Sequence, residues 1–167
     1  MFVFNKKTEF RMHSKKFKYQ AYLDRFPNCP SDSYQALDKN AFRWAFDKNL
    51  SNSFKPMSLM KEPPQRMLDD SDLMCKGFGL SLFDTFENGY KRYFALYKKK
   101  RSLSHQEFID DKGNVIAELK MIGDEGVYGD LNSANGHFTF HEFEATDLAT
   151  KIIRITEIFD KNGNFTR

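Results

Sequence analysis

Hydrophobic and polar positions along this chain fall into stretches with distinct periods. Ala41-Phe42-Arg43-Trp44-Ala45-Phe46 has the aromatic enrichment of a strand. Gly77 to Phe83 reads as a second strand that opens on paired glycines, Gly77 and Gly79. The period then changes: Phe86, Tyr90, Tyr93, Phe94 and Tyr97 recur at helical spacing. Asp84 with Glu87 three residues on makes a capping-box-like start, and Lys98 to Arg101 suit the negative end of the helix dipole. The face of Phe86, Tyr90, Phe94 and Tyr97 is expected to pack on a sheet. Gln106 to Asp110 and Val115 to Ile122, joined by Asp111-Lys112-Gly113-Asn114, read as a β-hairpin. Gly123, Gly126 and Gly129 punctuate a loop. Gly136 to Glu144 is a further strand, leading through an Asp147 cap into a short helical turn, and Lys151 to Phe159 is a final strand rich in β-branched residues.

Earlier in the chain the pattern is weaker. Pro27-Asn28-Cys29-Pro30 is a breaker, after which Ser31 or Asp32 can cap a short helix through Asp38. Residues 47–74, with Pro56, Pro63, Pro64 and the run Asp69-Asp70-Ser71-Asp72, read as a long loop of the kind that forms a binding loop or lid. The order of elements predicts an α+β fold: a single domain over 1–167, with a mixed or antiparallel sheet and two or three helices.

Composition adds a class. Of 167 residues 40% are hydrophobic and 16% aromatic, enough for a packed globule with a phenylalanine-rich core. Cys29 and Cys75 are far apart and in no metal spacing, which predicts two free thiols in a reducing compartment. Met1-Phe2-Val3-Phe4 stops at Asn5-Lys6-Lys7, too short for the apolar run of a secretion signal, and no stretch approaches the ~20 apolar residues of a membrane span. The expected location is cytoplasmic. The net charge of +3 conceals two basic clusters. Residues 1–20 carry Lys6, Lys7, Arg11, Lys15, Lys16 and Lys18 against Glu9 alone, and residues 91–101 carry Lys91, Arg92, Lys98, Lys99, Lys100 and Arg101 with no acid. The N-terminal segment is expected to meet an anionic or protein partner, and removal of residues 1–18 to leave a folded domain.

Candidate chemistry is sparse. His137 and His141 have helical zinc spacing, but their neighbours Phe138, Thr139, Phe140 and Phe143 predict a strand, where residues four apart lie roughly 13 Å apart. No metal is expected. Asp160-Lys161-Asn162-Gly163-Asn164 starts like a calcium loop but has Phe165 where that loop needs glycine. Gly77 and Gly79 lack the third glycine and lysine of a phosphate loop. One constellation remains: Arg43 on an early strand, Ser81 on a second, and Glu142 with Glu144 on a third. Arginine suits bidentate phosphate binding, and glutamates two apart on a strand share a side.

This order resembles the arginine–serine–glutamate pattern of ADP-ribosyltransferase-like proteins, over residues 41–148. The resemblance implies NAD as substrate, Arg43 on its phosphate, Ser81 supporting the nicotinamide pocket, Glu144 as catalytic glutamate and Glu142 as auxiliary acid. The family's Ser-Thr-Ser is Leu80-Ser81-Leu82 here, and Trp44 follows Arg43 where a small residue is usual. Three functions follow in order: an NAD-using transferase or glycohydrolase; a noncatalytic interaction protein of accessory or immunity type; and a nucleic-acid-binding module stacking bases on Tyr19, Tyr22, Tyr93 and Tyr97.

Overall fold

The computed structural model describes residues 15–100 and 102–167. Within them seven strands form one antiparallel sheet: β1 (Gln35–Ala36), β2 (Asn40–Ala45), β3 (Leu80–Phe83), β4 (Val115–Lys120), β5 (Gly126–Gly129), β6 (His137–Glu142) and β7 (Ile152–Glu157). Their spatial order is β1-β5-β6-β3-β2-β4-β7. Six α-helices accompany them: α1 (Gln20–Leu23), α2 (Met57–Met60), α3 (Gln65–Leu68), α4 (Ser71–Gly77), α5 (Phe86–Lys98) and α6 (His105–Lys112). The class is α+β with an antiparallel sheet, but the expectation of two or three helices is wrong. The additional helices lie mostly in the supposed loop 47–74, which holds a 3-10 turn at Asn52–Phe54, then α2, α3 and the start of α4.

Alternation along the strands divides the core in two. Ala41, Leu80, Leu82, Leu119, Phe138 and Phe140 line one face, closed over by Leu37, Phe54 and Leu148. Phe42, Trp44 and Ile116 line the other, under α5 and α6. A separate cluster of Leu23, Met67, Met74 and Phe78 gathers the short helices α1, α3 and α4.

Several local expectations shift. The cap of α5 is Thr85, whose hydroxyl accepts from the Asn88 N–H at 3.1 Å, and Asp84 instead accepts from the Asn88 side chain. The residue of α5 buried deepest is Tyr93, fully enclosed with its hydroxyl on the Gly113 carbonyl at 2.6 Å, whereas Phe94 is 38% exposed. Residues 105–112 are helix α6, because Ser104 and Glu107 form a complete capping box. Gly113 ends it at φ +89°, where a Cβ would also run into the Ala45 backbone. The glycine-punctuated stretch contains strand β5, and the segment after Asp32 gives strand β1 in place of a helix. The cysteines are joined: Cys29 and Cys75, with Cα atoms 5.8 Å apart, form a disulfide that ties the segment after α1 to α4. No helix among the described residues is long and apolar enough to cross a membrane.

Candidate functional site

Two short sequences mirror each other. Lys16-Phe17-Lys18 and Glu142-Phe143-Glu144 both read charge–phenylalanine–charge, with opposite signs. The structure lays them side by side, joined by an isolated antiparallel bridge between Phe17 and Phe143. The Lys18 N–H donates to the Glu142 carbonyl at 3.0 Å, the Glu144 N–H donates to the Lys16 carbonyl at 2.8 Å, and the two phenylalanines stack at 5.2 Å. Opposite residues of such a pair share a face. Lys18 therefore meets Glu142, with Nζ 2.8 Å from Oε2 and 2.7 Å from the Thr146 carbonyl. Lys16 meets Glu144 at 3.4 Å, and Lys15 pairs with Asp124.

The two glutamates live in different environments. Glu142 is buried, which raises its carboxyl above the ordinary value; Lys18 and Arg43 oppose that rise and Asp147 adds to it. Glu144 lies beyond the end of β6 with its side chain mostly in water. It rims a cleft of about 540 Å³ lined also by Lys15, Glu125, Phe143, Asp147 and Lys151. The charged groups of this cleft are engaged with one another: Lys151 lies 3.1 Å from Glu125, whose other oxygen accepts from the Ile122 and Asp124 N–H groups. Asp147 caps the turn Leu148–Lys151 through the Ala149 N–H.

Arg43 and Ser81 are not in that cleft. Strands β2 and β3 share the single registered pair Phe42–Phe83. Where they part, the Arg43 guanidinium stands in for the missing ladder: Nε donates to the Ser53 carbonyl and Nη1 to the Ser81 carbonyl at 2.7 Å. Burial pulls this guanidinium down to about 10, against the favourable charge of Glu142, and it stays charged at neutral pH. Arg43 projects from the face of Ala41 and Ala45. Ser81, opposite Thr139 and in phase with Phe83, projects its hydroxyl from the other face and is exposed. The structure thus brings Arg43 and Glu142 to one face of the sheet, Ser81 to the other, and Glu144 to a cleft past the strand end. No group of three or more His, Cys, Asp or Glu residues able to hold a metal occurs among the described residues.

The pairing of the basic N-terminus with the Glu-x-Glu is the feature that reading the segments singly missed. Its signal was the mirrored pattern itself. It also corrects the expectation for truncation, since Phe17 packs against the α1–α4 cluster and Lys18 neutralises a buried acid. A chain beginning at Tyr19 is expected to be strongly destabilised. Lys18→Ala alone should cost roughly 3 kcal/mol, because it strands a buried carboxylate. Lys16→Ala at the exposed pair should cost less than about 1 kcal/mol. Urea denaturation of the two variants measures the contrast.

His141 is the other buried polar group without a role in sequence terms. It is 2% exposed, both ring nitrogens lack a protein hydrogen bond among the described residues, and Phe17 and Tyr34 flank it. Burial holds its pKa down to about 4, with the Asp130 charge acting the other way. The unfolded chain takes up this proton near 6.5 while the native protein refuses it until about 4. The associated stability is therefore complete above pH 6.5 and is lost as the pH falls towards 4, by on the order of 3 kcal/mol. The raised Glu142 carboxyl acts in the opposite sense, favouring the fold as it protonates. His141→Leu is expected to flatten the acid limb and to leave stability at neutral pH unchanged or higher; denaturant titrations at several pH values check both.

No protein-family model, curated protein or solved structure matches this chain. The fold is a small α+β domain, and at the candidate site Lys16, Lys18, Arg43, Glu142 and Glu144 bond within their own chain.

Proposed function

We propose that this protein is a noncatalytic interaction protein that docks a protein partner on its layer of short helices. One observation carries the reading. Among the described residues twelve large hydrophobic side chains are exposed, and five of them, Met57, Leu59, Met60, Leu68 and Leu73, fall on the consecutive helices α2, α3 and α4. Exposed apolar side chains gathered in this way mark contact surfaces, and methionine adapts to irregular partners. Lys55, Lys61 and Arg66 together with Asp69 and Asp72 supply charged residues of both signs around them.

The other readings have less support. Arg43 directs two of its five N–H donors to main-chain carbonyls, and Glu142 and Glu144 face lysines of the same chain. Of the tyrosines suited to stacking on bases, Tyr93 and Tyr97 belong to the core under α5. An anionic partner at the N-terminus would rest on Lys6, Lys7 and Arg11, which lie outside the described residues, since Lys15, Lys16 and Lys18 are already paired. The disulfide removes the ground for a cytoplasmic location, and an oxidising compartment suits the protein better.

The test is a Met60→Glu/Leu68→Glu double variant in proximity capture with quantitative mass spectrometry, beside Leu131→Glu as an exposed control elsewhere. Met60 and Leu68 are 48% and 51% exposed and belong to no core cluster, so stability should stay within about 0.5 kcal/mol of the wild type. Proteins enriched by the wild type and the control should be lost with the double variant. Equal enrichment by all three would contradict the reading.

A further inference from the structure

His141 is a buried imidazole whose two ring nitrogens both lack a partner among the described residues. A second ring proton would therefore place a charge and one more idle donor where water does not reach. Three groups enclose the ring. Beside it runs the Gly79 backbone, where a Cβ would come within 3.0 Å of Cε1 and Nε2. Tyr34 stands 5.9 Å away between ring centroids, and Phe17 stands 6.4 Å away, edge-on. The Tyr34 wall is firmly anchored: its hydroxyl donates to Asp130, its N–H donates to the Ser31 carbonyl, and Gln35 after it pairs with Tyr128 of β5. The Phe17 wall is held by less. Residues 15–17 reach β6 and its extension through one main-chain bond, from the Glu144 N–H to the Lys16 carbonyl, and through the Phe17–Phe143 stack. Their ion pairs, Lys15 with Asp124 and Lys16 with Glu144, are open to water and add little. Lys18 is a fixed point by comparison, since its N–H and its ammonium both bond to Glu142 and the ammonium also reaches the Thr146 carbonyl.

We propose that residues 15–17 form an acid-released strap: protonation of His141 displaces Phe17, and the strap swings out about Lys18. The movement admits water to the imidazole, uncovers Phe143 and widens the cleft that Lys15 and Lys16 line. A hinge at Lys18 leaves Glu142 its cation, so no buried carboxylate is stranded by the opening. Few of the charges around His141 relieve an imidazolium in the shut state. Asp130 favours it, but that carboxylate already holds the Tyr34 hydroxyl and, at 3.3 Å, Lys76 of α4. Tyr34 keeps its proton, its hydroxyl raised by burial and by Asp130, and Asp72 of α4 adds to that rise. The strap and its hinge bring only cations, Lys15, Lys16 and Lys18, and Glu142 alternates to the opposite face of β6. Burial holds the shut ring at about 4, whereas a ring in water takes its proton at 6.5. Opening is therefore coupled to proton uptake. The ratio of open to shut molecules is lowest above pH 6.5, rises as the pH falls, and approaches a gain of about 300-fold below pH 4.

The strap does not depend on docking at the helical layer, so the two readings can fail independently. Hydrogen exchange of the full chain, corrected for the intrinsic effect of pH on exchange, reads the opening at the Glu144 amide. Between pH 7 and pH 4 the protection of this amide should fall on the order of 100-fold, while the Lys18 amide and those of β2 and β4 change far less. His141→Leu should hold Glu144 protection nearly level over the same range. Phe17→Ala removes the wall and leaves the imidazole in place. Followed by the ring Cε1 proton in NMR, His141 should then titrate well above the wild-type value of about 4 and towards 6.5, a result that stands even if the leucine variant folds poorly. Level Glu144 protection in the wild type would overturn the proposal. So would an equal loss in His141→Leu, which would place the cause in the exposed ion pairs, or a loss shared by β2 and β4, which would mean general unfolding. An unchanged His141 titration in Phe17→Ala would show that Phe17 is not the wall, with the same consequence.

Discussion

Cys29→Ser/Cys75→Ser is expected to lower the unfolding free energy by about 4 kcal/mol, the loop-closure entropy of a bridge across 46 residues. For a chain of this size that corresponds to a fall in Tm of about 10 °C. The loss should be reproduced by reducing the wild-type protein and should be absent when reductant is added to the variant. The bridge also has a local consequence. Cys29 packs beside Leu23, Met67, Met74 and Phe78, the cluster on which α3 and α4 rest. Reduction should therefore loosen the helical layer before the sheet, and amides of α3 and α4 should lose exchange protection ahead of those in β4 and β6. Equal stability of the oxidised and reduced proteins would show that the covalent link does not shape the fold.

Tyr93→Ala should be nearly as damaging, at about 3–5 kcal/mol for an enclosed aromatic side chain. Tyr93 meets Trp44, Phe108 and Phe159 edge-on at 5.3, 5.3 and 5.9 Å, so one ring joins β2, α6 and the segment after β7. Its hydroxyl satisfies the Gly113 carbonyl at the end of α6. Tyr93→Phe isolates that bond and should cost about 1 kcal/mol, rising if the carbonyl stays dry. Phe94→Ala, next in sequence, should cost far less than Tyr93→Ala, because Phe94 is 38% exposed and rests chiefly on Phe165 at 4.8 Å. Thermal denaturation of the three variants orders them.

The reversal between Tyr93 and Phe94 shows how far the chain's pattern reaches. Spacing located α5, but five aromatic residues cover more than one side of a helix, and only the sheet decides which side is inward. Strands β2, β4, β6 and β7 were legible because each keeps a run of aromatic or β-branched residues. β5 was not, since Gly126 and Gly129 bound it and it is held by register against β6. α6 carried its signal in Ser104 and Glu107, but turn chemistry in Asp111-Lys112-Gly113-Asn114 suits the end of a helix as well as a hairpin. Helices of four residues, such as α2 and α3, are too short to show a period and depend on tertiary packing. The bridge was invisible for a different reason: a separation of 46 residues carries no information about Cα atoms 5.8 Å apart.

The candidate site was legible only in pieces. Arg43, Ser81, Glu142 and Glu144 lie on or beside the strands expected of them, yet alternation sends Ser81 to the opposite face from Arg43, and the parting of β2 from β3 employs the guanidinium on main-chain carbonyls. The glutamates looked available because their lysine partners lie more than 120 residues earlier in the chain.

The central proposal is that Arg43, Glu142 and Glu144 bond within their own chain instead of forming an NAD site with Ser81, and that the protein acts by docking. Titration of the isotope-labelled protein with NAD, followed by amide NMR and coupled to an assay of nicotinamide release, tests it most directly. No saturable shifts are expected at Arg43, Ser81, Glu142 or Glu144 up to millimolar NAD, and no release above the protein-free rate. Saturable shifts at these residues, with nicotinamide release that Glu144→Gln abolishes in a folded protein, would contradict it.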